Sequence, residues 1–199
     1  VTSLIVNASN ELMLFGMTGS SDFPVSATAF DNTFAGGTAF TLVYNGTVYN
    51  FGTDIYVSKF SADGTQLLAS TFVGGSENDG VIDSASILQV NYGDYYRGEI
   101  QTDTLGNFYI ASSTKSPDFP VTAGAFQTTF GGVVDGCVFK MSPDLSQMIW
   151  CSFLGGSSED DAFGLVLSKT GDILLTGGTR GSGFVTTSNV INPSFIGGT

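Results

Sequence analysis

The segments "SSDFPVSATAFDNTF" (residues 20–34) and "SPDFPVTAGAFQTTF" (residues 116–130) are two writings of one pattern, 96 positions apart. The same displacement carries Asp22, Phe23, Pro24, Phe30 and Phe34 onto Asp118, Phe119, Pro120, Phe126 and Phe130. Self-similarity over such a distance marks a repeat architecture, so the period is read first. "DIYVSKFSADGTQLLASTFVGGSEND" (54–79) matches "DGCVFKMSPDLSQMIWCSFLGGSSED" (135–160) at a displacement of 81, and "EIQTDTLGNFYIASST" (99–114) matches "GLVLSKTGDILLTGGT" (164–179) at 65. In the third copy Phe184, Ile191 and Phe195 stand for Phe119, Phe126 and Phe130, while the Asp and Pro are gone. The base period is about 65, and two insertions stretch the first copy, near 38–52 and near 80–98.

Each copy contains four strand-like runs separated by turn signals. In the second they are "EIQTD", "NFYIASST", "GCVFKMS" and "QMIWCSFLGG", and "DTLGN", "SADG" and "SPDL" supply the Gly, Asp and Pro that reverse a chain. Runs such as "LMLF" and "CVF" are apolar at consecutive positions, so such a strand must be covered on both faces. Four-stranded antiparallel units stacked face to face meet that demand, as the blades of a β-propeller do. The expected fold is all-β, with about two and a half blades: blade 1 over about 1–79 with a hairpin insertion at 38–52, an inter-blade insertion at 80–98, blade 2 over about 99–160, and half of blade 3 over about 161–199. A continuous β-sandwich is the competitor, and it leaves the period unexplained. Closure takes about four to eight blades, so the chain is expected to be part of a larger propeller.

"GNFYIASSTKSPDFPVTAGAFQTTFGG", then "DGCVFKMSPDLSQMIWCSFLGGSSEDDA", then "GLVLSKTGD", resembles the SBBP-type bacterial β-propeller repeat over nearly the whole chain. Its most specific elements are "DFPVTAGAFQ" and the strand ends "STFVGG" and "CSFLGG". The resemblance implies a secreted or cell-surface bacterial protein. In Bacteroidetes such repeats often occur in long exported proteins with a sorting domain for type IX secretion, and no such domain is visible here. Nothing at Val1 reads as a signal peptide.

Within the doubled motif, Pro24 and Pro120 hold the preceding Phe extended. Ser26 and Thr122 are placed to cap a short helical turn that aims Phe30 and Phe126 inward. The motif reads as a structural clasp sealing the seam between blades, rather than an aromatic ligand platform.

Six Lys and Arg stand against eighteen Asp and Glu, a net charge of −12 without any histidine. Nucleic acid and anionic membrane are therefore disfavoured as partners, and the commonest general base and transition-metal ligand is missing. No apolar run approaches the ~18 residues of a membrane-spanning helix.

In an up-and-down blade, the loop between strands 2 and 3 shares an end with the loop leading to the next blade. Both insertions fall in these loops: "LVYNGTVYNF", with Asn45-Gly46 at its turn, and "SILQVNYGDYYRG", around Asn91–Asp94. That end carries Asp22, Asp31, Asp54, Glu77, Asp79, Asp83, Asp94, Glu99, Asp118, Asp135, Glu159, Asp160 and Asp161 against Arg97, Lys115 and Arg180. Such acids are ordinarily solvated, and no pair of them stands in a visibly apolar setting. "GGSENDG" and "GGSSEDDA" offer a calcium-like oxygen set through Glu77, Asn78 and Asp79 and through Glu159, Asp160 and Asp161, without the spacing of an EF-hand loop. A basic protein partner steered by the same charge is the alternative. Cys137 and Cys151 are expected opposite each other if Ser142 pairs with Ser146, and export would allow a disulfide.

Three functions are compatible with these features. The expected one is a non-catalytic surface module presenting its acidic end to a protein or glycan, with adhesion as the outcome and no cofactor. The others are a structural spacer and a carbohydrate-active enzyme using two carboxylates.

Overall fold

The computed structural model describes residues 1–42, 46–82 and 96–197. These form twelve β-strands and no helix: β1 (Ser3–Val6), β2 (Leu12–Thr18), β3 (Phe40–Thr41), β4 (Val48–Tyr49), β5 (Asp54–Phe60), β6 (Leu67–Val73), β7 (Glu99–Thr102), β8 (Phe108–Thr114), β9 (Asp135–Met141), β10 (Met148–Leu154), β11 (Asp160–Leu167) and β12 (Ile173–Thr179). They make two four-stranded antiparallel sheets, β1-β2-β5-β6 and β7-β8-β9-β10, and two two-stranded ones, β11-β12 and β3-β4. The four runs read in the second copy are β7 to β10, and the first insertion is the β3–β4 hairpin with Gly46 at its turn. Asn45 and the expected hairpin around Asn91–Asp94 lie outside the described residues.

The consecutive apolar runs of the second copy have the predicted cause, whereas in "LMLF" only Met13 and Phe15 are fully buried and Leu12 and Leu14, on the other face, are partly exposed. Phe108 and Ile110 of β8 join Met13, Phe15, Ile55 and Val57 of the first sheet in one core. Tyr109 and Ala111, on the opposite face of β8, join Ala162 and Leu165 of β11 in a second. The middle sheet is thus buried on both sides, and each ring buried there contributes about 1.5–3 kcal/mol.

The doubled motif docks on the outer edge of the last strand in each four-stranded sheet. Ser26 N–H donates to Ser70 O (2.9 Å), and Thr122 N–H donates to Cys151 O (3.0 Å). Ser26 Oγ accepts from Ser70 N–H, and Thr122 Oγ1 from Cys151 N–H. Five residues on, Phe72 N–H donates to Asp31 O and Phe153 N–H to Gln127 O, both at 3.1 Å. The hydroxyls expected to cap a helical turn therefore pair with a strand. The motif covers an edge that would otherwise present unpaired backbone groups.

Two expectations about single residues are corrected. Phe30 packs on the core, but Phe126 is 66 % exposed and does not point inward. Cys137 and Cys151 are not opposite: Cys137 faces Phe153 and Cys151 faces Phe139. The hairpin closes through Ser142 N–H to Gln147 O, and the register then shifts between Met148 and Trp150, so the facing pairs move by two residues. Both cysteines are buried free thiols. Burial raises the Cys137 pKa well above the ordinary thiol value and pushes Cys151 up to about 12, which leaves both unreactive.

Candidate functional site

Residues 19–42, 46–53, 74–82 and 115–134 gather at one end of the sheets, because an antiparallel meander returns its even-numbered connections to the same side. Buried carboxylates anchor them. Asp54, the first residue of β5, accepts from Ala35 N–H (2.7 Å) and Gly36 N–H (2.9 Å). Its counterpart Asp135, the first residue of β9, accepts from Gly131 N–H (2.8 Å). Asp79 accepts from Gly75 N–H (2.8 Å), Ser116 Oγ (3.0 Å) and Thr114 Oγ1. Its counterpart Asp160 accepts from Gly156 N–H (2.6 Å). A Cβ on Gly74 would lie 2.8 Å from Asp54 Oδ1 and 2.9 Å from Asp79 Oδ2, so this glycine sits wedged between two carboxyl groups.

The expectation that these acids are solvated is therefore corrected: Asp54, Asp79, Asp135, Asp160 and Asp161 are all buried. Burial pushes Asp79 up to about 8, against the opposing hydrogen bonds from Thr114, Gly75 and Ser116. Burial likewise raises Asp54 and Asp135 to about 6, and Asp161 to about 7 with Glu159 and Asp160 adding repulsion. The missing signal was hydrogen-bonding demand. Asp54, Asp135 and Asp160 each open a strand, and they and Asp79 accept from N–H groups of Gly-bearing loops that need an acceptor.

The calcium candidates do not converge. Glu77 Oε2 accepts from Thr38 Oγ1 (2.9 Å), Asn78 Oδ1 accepts from Thr53 N–H (3.1 Å), and Asp79 turns to Thr114 and Ser116. Glu159 pairs with Arg180 at 3.1 Å, while Asp160 and Asp161 are buried behind it. Among the described residues, no group of three or more Asp, Glu, Cys or His is arranged to hold a metal ion.

The loops border an open cleft of about 490 Å³ between the β3–β4 insertion and the first clasp. Phe51, 72 % exposed, and Asn50 line one side, with Phe34, Ser21, Thr38 and Ser76 around them. The stacked rings of Phe40 and Tyr49, 4.9 Å apart, join the two strands of the hairpin, and Asn78, whose Nδ2 donates to Thr38 O (2.9 Å), holds it beside the cleft. None of the described lining residues is titratable. Sequence reasoning missed this site. Its trace was an aromatic and an amide, Phe51 and Asn50, in an insertion without counterpart in the second copy.

Comparison with protein-family models and with curated proteins gives no match. No helix among the described residues is long and apolar enough to cross a membrane.

Proposed function

We propose that this chain is a non-catalytic β-propeller module of the SBBP-repeat type, part of a larger exported bacterial protein, acting outside the cell in glycan binding and adhesion. The observation that carries the binding reading is the cleft beside the β3–β4 insertion. An exposed ring (Phe51) offers an apolar platform for the C–H face of a sugar; Asn50 and Ser21 add an amide and a hydroxyl, and Thr38 and Ser76, whose hydroxyls donate to Glu77 and Asp118, offer acceptor oxygens to its hydroxyl groups. Two stacked four-stranded repeats of matching topology, with a third begun at β11–β12, support the propeller reading.

The non-catalytic reading rests on where the raised carboxyls lie. Asp54 and Asp79 have the perturbed pKa of a general acid, but they are buried and hold backbone N–H groups. A carboxyl without access to substrate transfers no proton to it. The spacer reading is favoured by one specific observation, the separate cores that cover the two faces of the middle sheet.

A panel of neutral oligosaccharides, screened against the protein and its Phe51→Ala variant, separates these readings. Binding that is lost in the variant at an unchanged melting temperature is expected. Retention of no neutral glycan, or retention unaffected by the substitution, overturns the glycan reading in favour of the spacer.

A further inference from the structure

The seam between the first two sheets contains a contact whose counterpart on the second sheet is unfilled. The hairpin joining β9 to β10 reaches back under the first clasp, where Phe30 N–H donates to Leu145 O (2.8 Å). Leu145 is 0 % exposed, Phe30 packs on the same core, and the leucine backbone sits in the left-handed region at φ 57. A leucine adopts that conformation only when its side chain gains enough from burial to offset the backbone cost. The displacement of 96 that relates the clasps carries Phe30 to Phe126. Phe126 is 66 % exposed beside exposed Ile149 and half-buried Trp150, and with the turn 122–125 they border a groove of about 330 Å³.

We infer that the groove beside Phe126 is the docking site for the third-to-fourth-strand hairpin of a further repeat, one that carries a leucine-like side chain at the position of Leu145. The molecule supplies the template, since its own first clasp is occupied in this way. A second copy of this chain does not fit. Its corresponding hairpin, Ser61–Gln66, has Gly64 where the other has Leu145, at φ +70 with open space around it. The copy's own Leu145 is buried under its own Phe30. The occupant is thus defined by chemistry: an antiparallel hairpin with an apolar residue in left-handed conformation at its tip. This inference rests on the repeat-array part of the proposed function and is independent of what the cleft beside Phe51 binds.

The test titrates the whole protein with a hairpin peptide of the sequence Lys140–Ile149, closed by a disulfide between a cysteine added at each end. The peptide lacks tryptophan, and Trp150, the single tryptophan, lines the groove. A saturable change in Trp150 emission is expected, weakened at least tenfold by Leu145→Gly in the peptide or by Phe126→Ser in the protein. Because Phe126 is exposed, Phe126→Ser should melt as the parent does, and Phe51→Ala should leave the peptide response intact. To guard against weak binding in trans, the same hairpin is also tethered to the C-terminal end through a Gly/Ser linker, which raises its effective concentration to the millimolar range. Unchanged emission in both formats overturns the inference, as does equal binding of the Leu145→Gly peptide. Sedimentation showing a dimer that Phe126→Ser dissolves also overturns it, by making a second copy the occupant.

Discussion

The two ends of the sheets use the same residue type in opposite ways. At the hairpin end, Asp63 accepts from Ser61 Oγ (2.6 Å) and Thr65 Oγ1 (2.9 Å), and these bonds, given in the open, lower its pKa to about 2. Asp144 repeats the arrangement with Ser142 and Ser146 and is lowered too. Glu11 pairs with Lys59 at 2.7 Å and Asp103 with Lys140 at 3.3 Å. At the loop end, Asp54, Asp79, Asp135 and Asp161 are raised, because burial outweighs the hydrogen bonds they accept. Hydrogen bonding alone does not set a carboxyl's behaviour; its access to water decides whether the charge is kept. At one end acid side chains close turns as anions. At the other the buried ones are internal fasteners whose raised pKa favours the protonated form, while exposed Asp118, which accepts from Ser76 N–H and Oγ, is lowered.

Replacing Asp79 should separate the ends most. Asp79→Ala leaves Gly75 N–H and the Thr114 hydroxyl without their acceptor and removes one of the two acceptors of Ser116, an expected loss of about 3 kcal/mol in chemical denaturation. Asp79→Asn keeps the shape and one acceptor, and a loss of about 1 kcal/mol is expected. Equal losses in the two would mean that the anion, not the acid, is the fastener. Next in size is Gly74→Ala, whose new methyl would meet both Asp54 and Asp79 below 3.0 Å. About 2 kcal/mol of destabilisation is expected there, read as a lower urea midpoint.

The pH dependence tests the comparison without mutation. Loop-end groups with folded pKa near 6 (Asp54, Asp135), 7 (Asp161) and 8 (Asp79) hold protons that the unfolded chain releases near 4. Their stabilisation is full below about pH 4 and is lost as pH rises through 6 to 8. Hairpin-end groups lie below their ordinary values, so their contribution is present above about pH 4 and is lost as pH falls toward 2. The urea midpoint should therefore peak near pH 4–5 and fall toward pH 8.5, and Asp79→Asn should flatten the alkaline limb. A midpoint that rises from pH 5 to 8.5 would contradict the loop-end assignment. The smallest effect is expected from Glu11→Gln, which weakens a partly exposed pair with Lys59 and should cost about 0.5 kcal/mol, fading in high salt.

The repeat, the twin four-stranded sheets and the two-sided burial of the second were legible because they rest on local rules: turn residues, run length and apolar pattern. The β3–β4 hairpin was legible through Asn45-Gly46. The register of Cys137 and Cys151 was not, because one residue added near Ile149, after a turn closed by Leu145, shifts every facing pair beyond it. The buried acids were misread for a related reason. Sequence shows that Asp79 is charged and loop-borne, but not that Thr114 and Ser116, more than thirty residues on, close over it.

What sequence determined by itself was the unit and its order: strand, turn, strand, clasp, strand, hairpin, strand, because each of those steps is specified by neighbours along the chain. Tertiary structure alone decided which members of a repeated pair do the same work. Phe30 and Phe126 occupy one motif, yet one packs on the core with Leu145 and the other lies in the open. Asp63 and Asp79 are both loop aspartates, yet one is held as an anion and the other raised to about 8. Burial and partners come from segments distant in the chain, and the free energy of a side chain depends on what surrounds it.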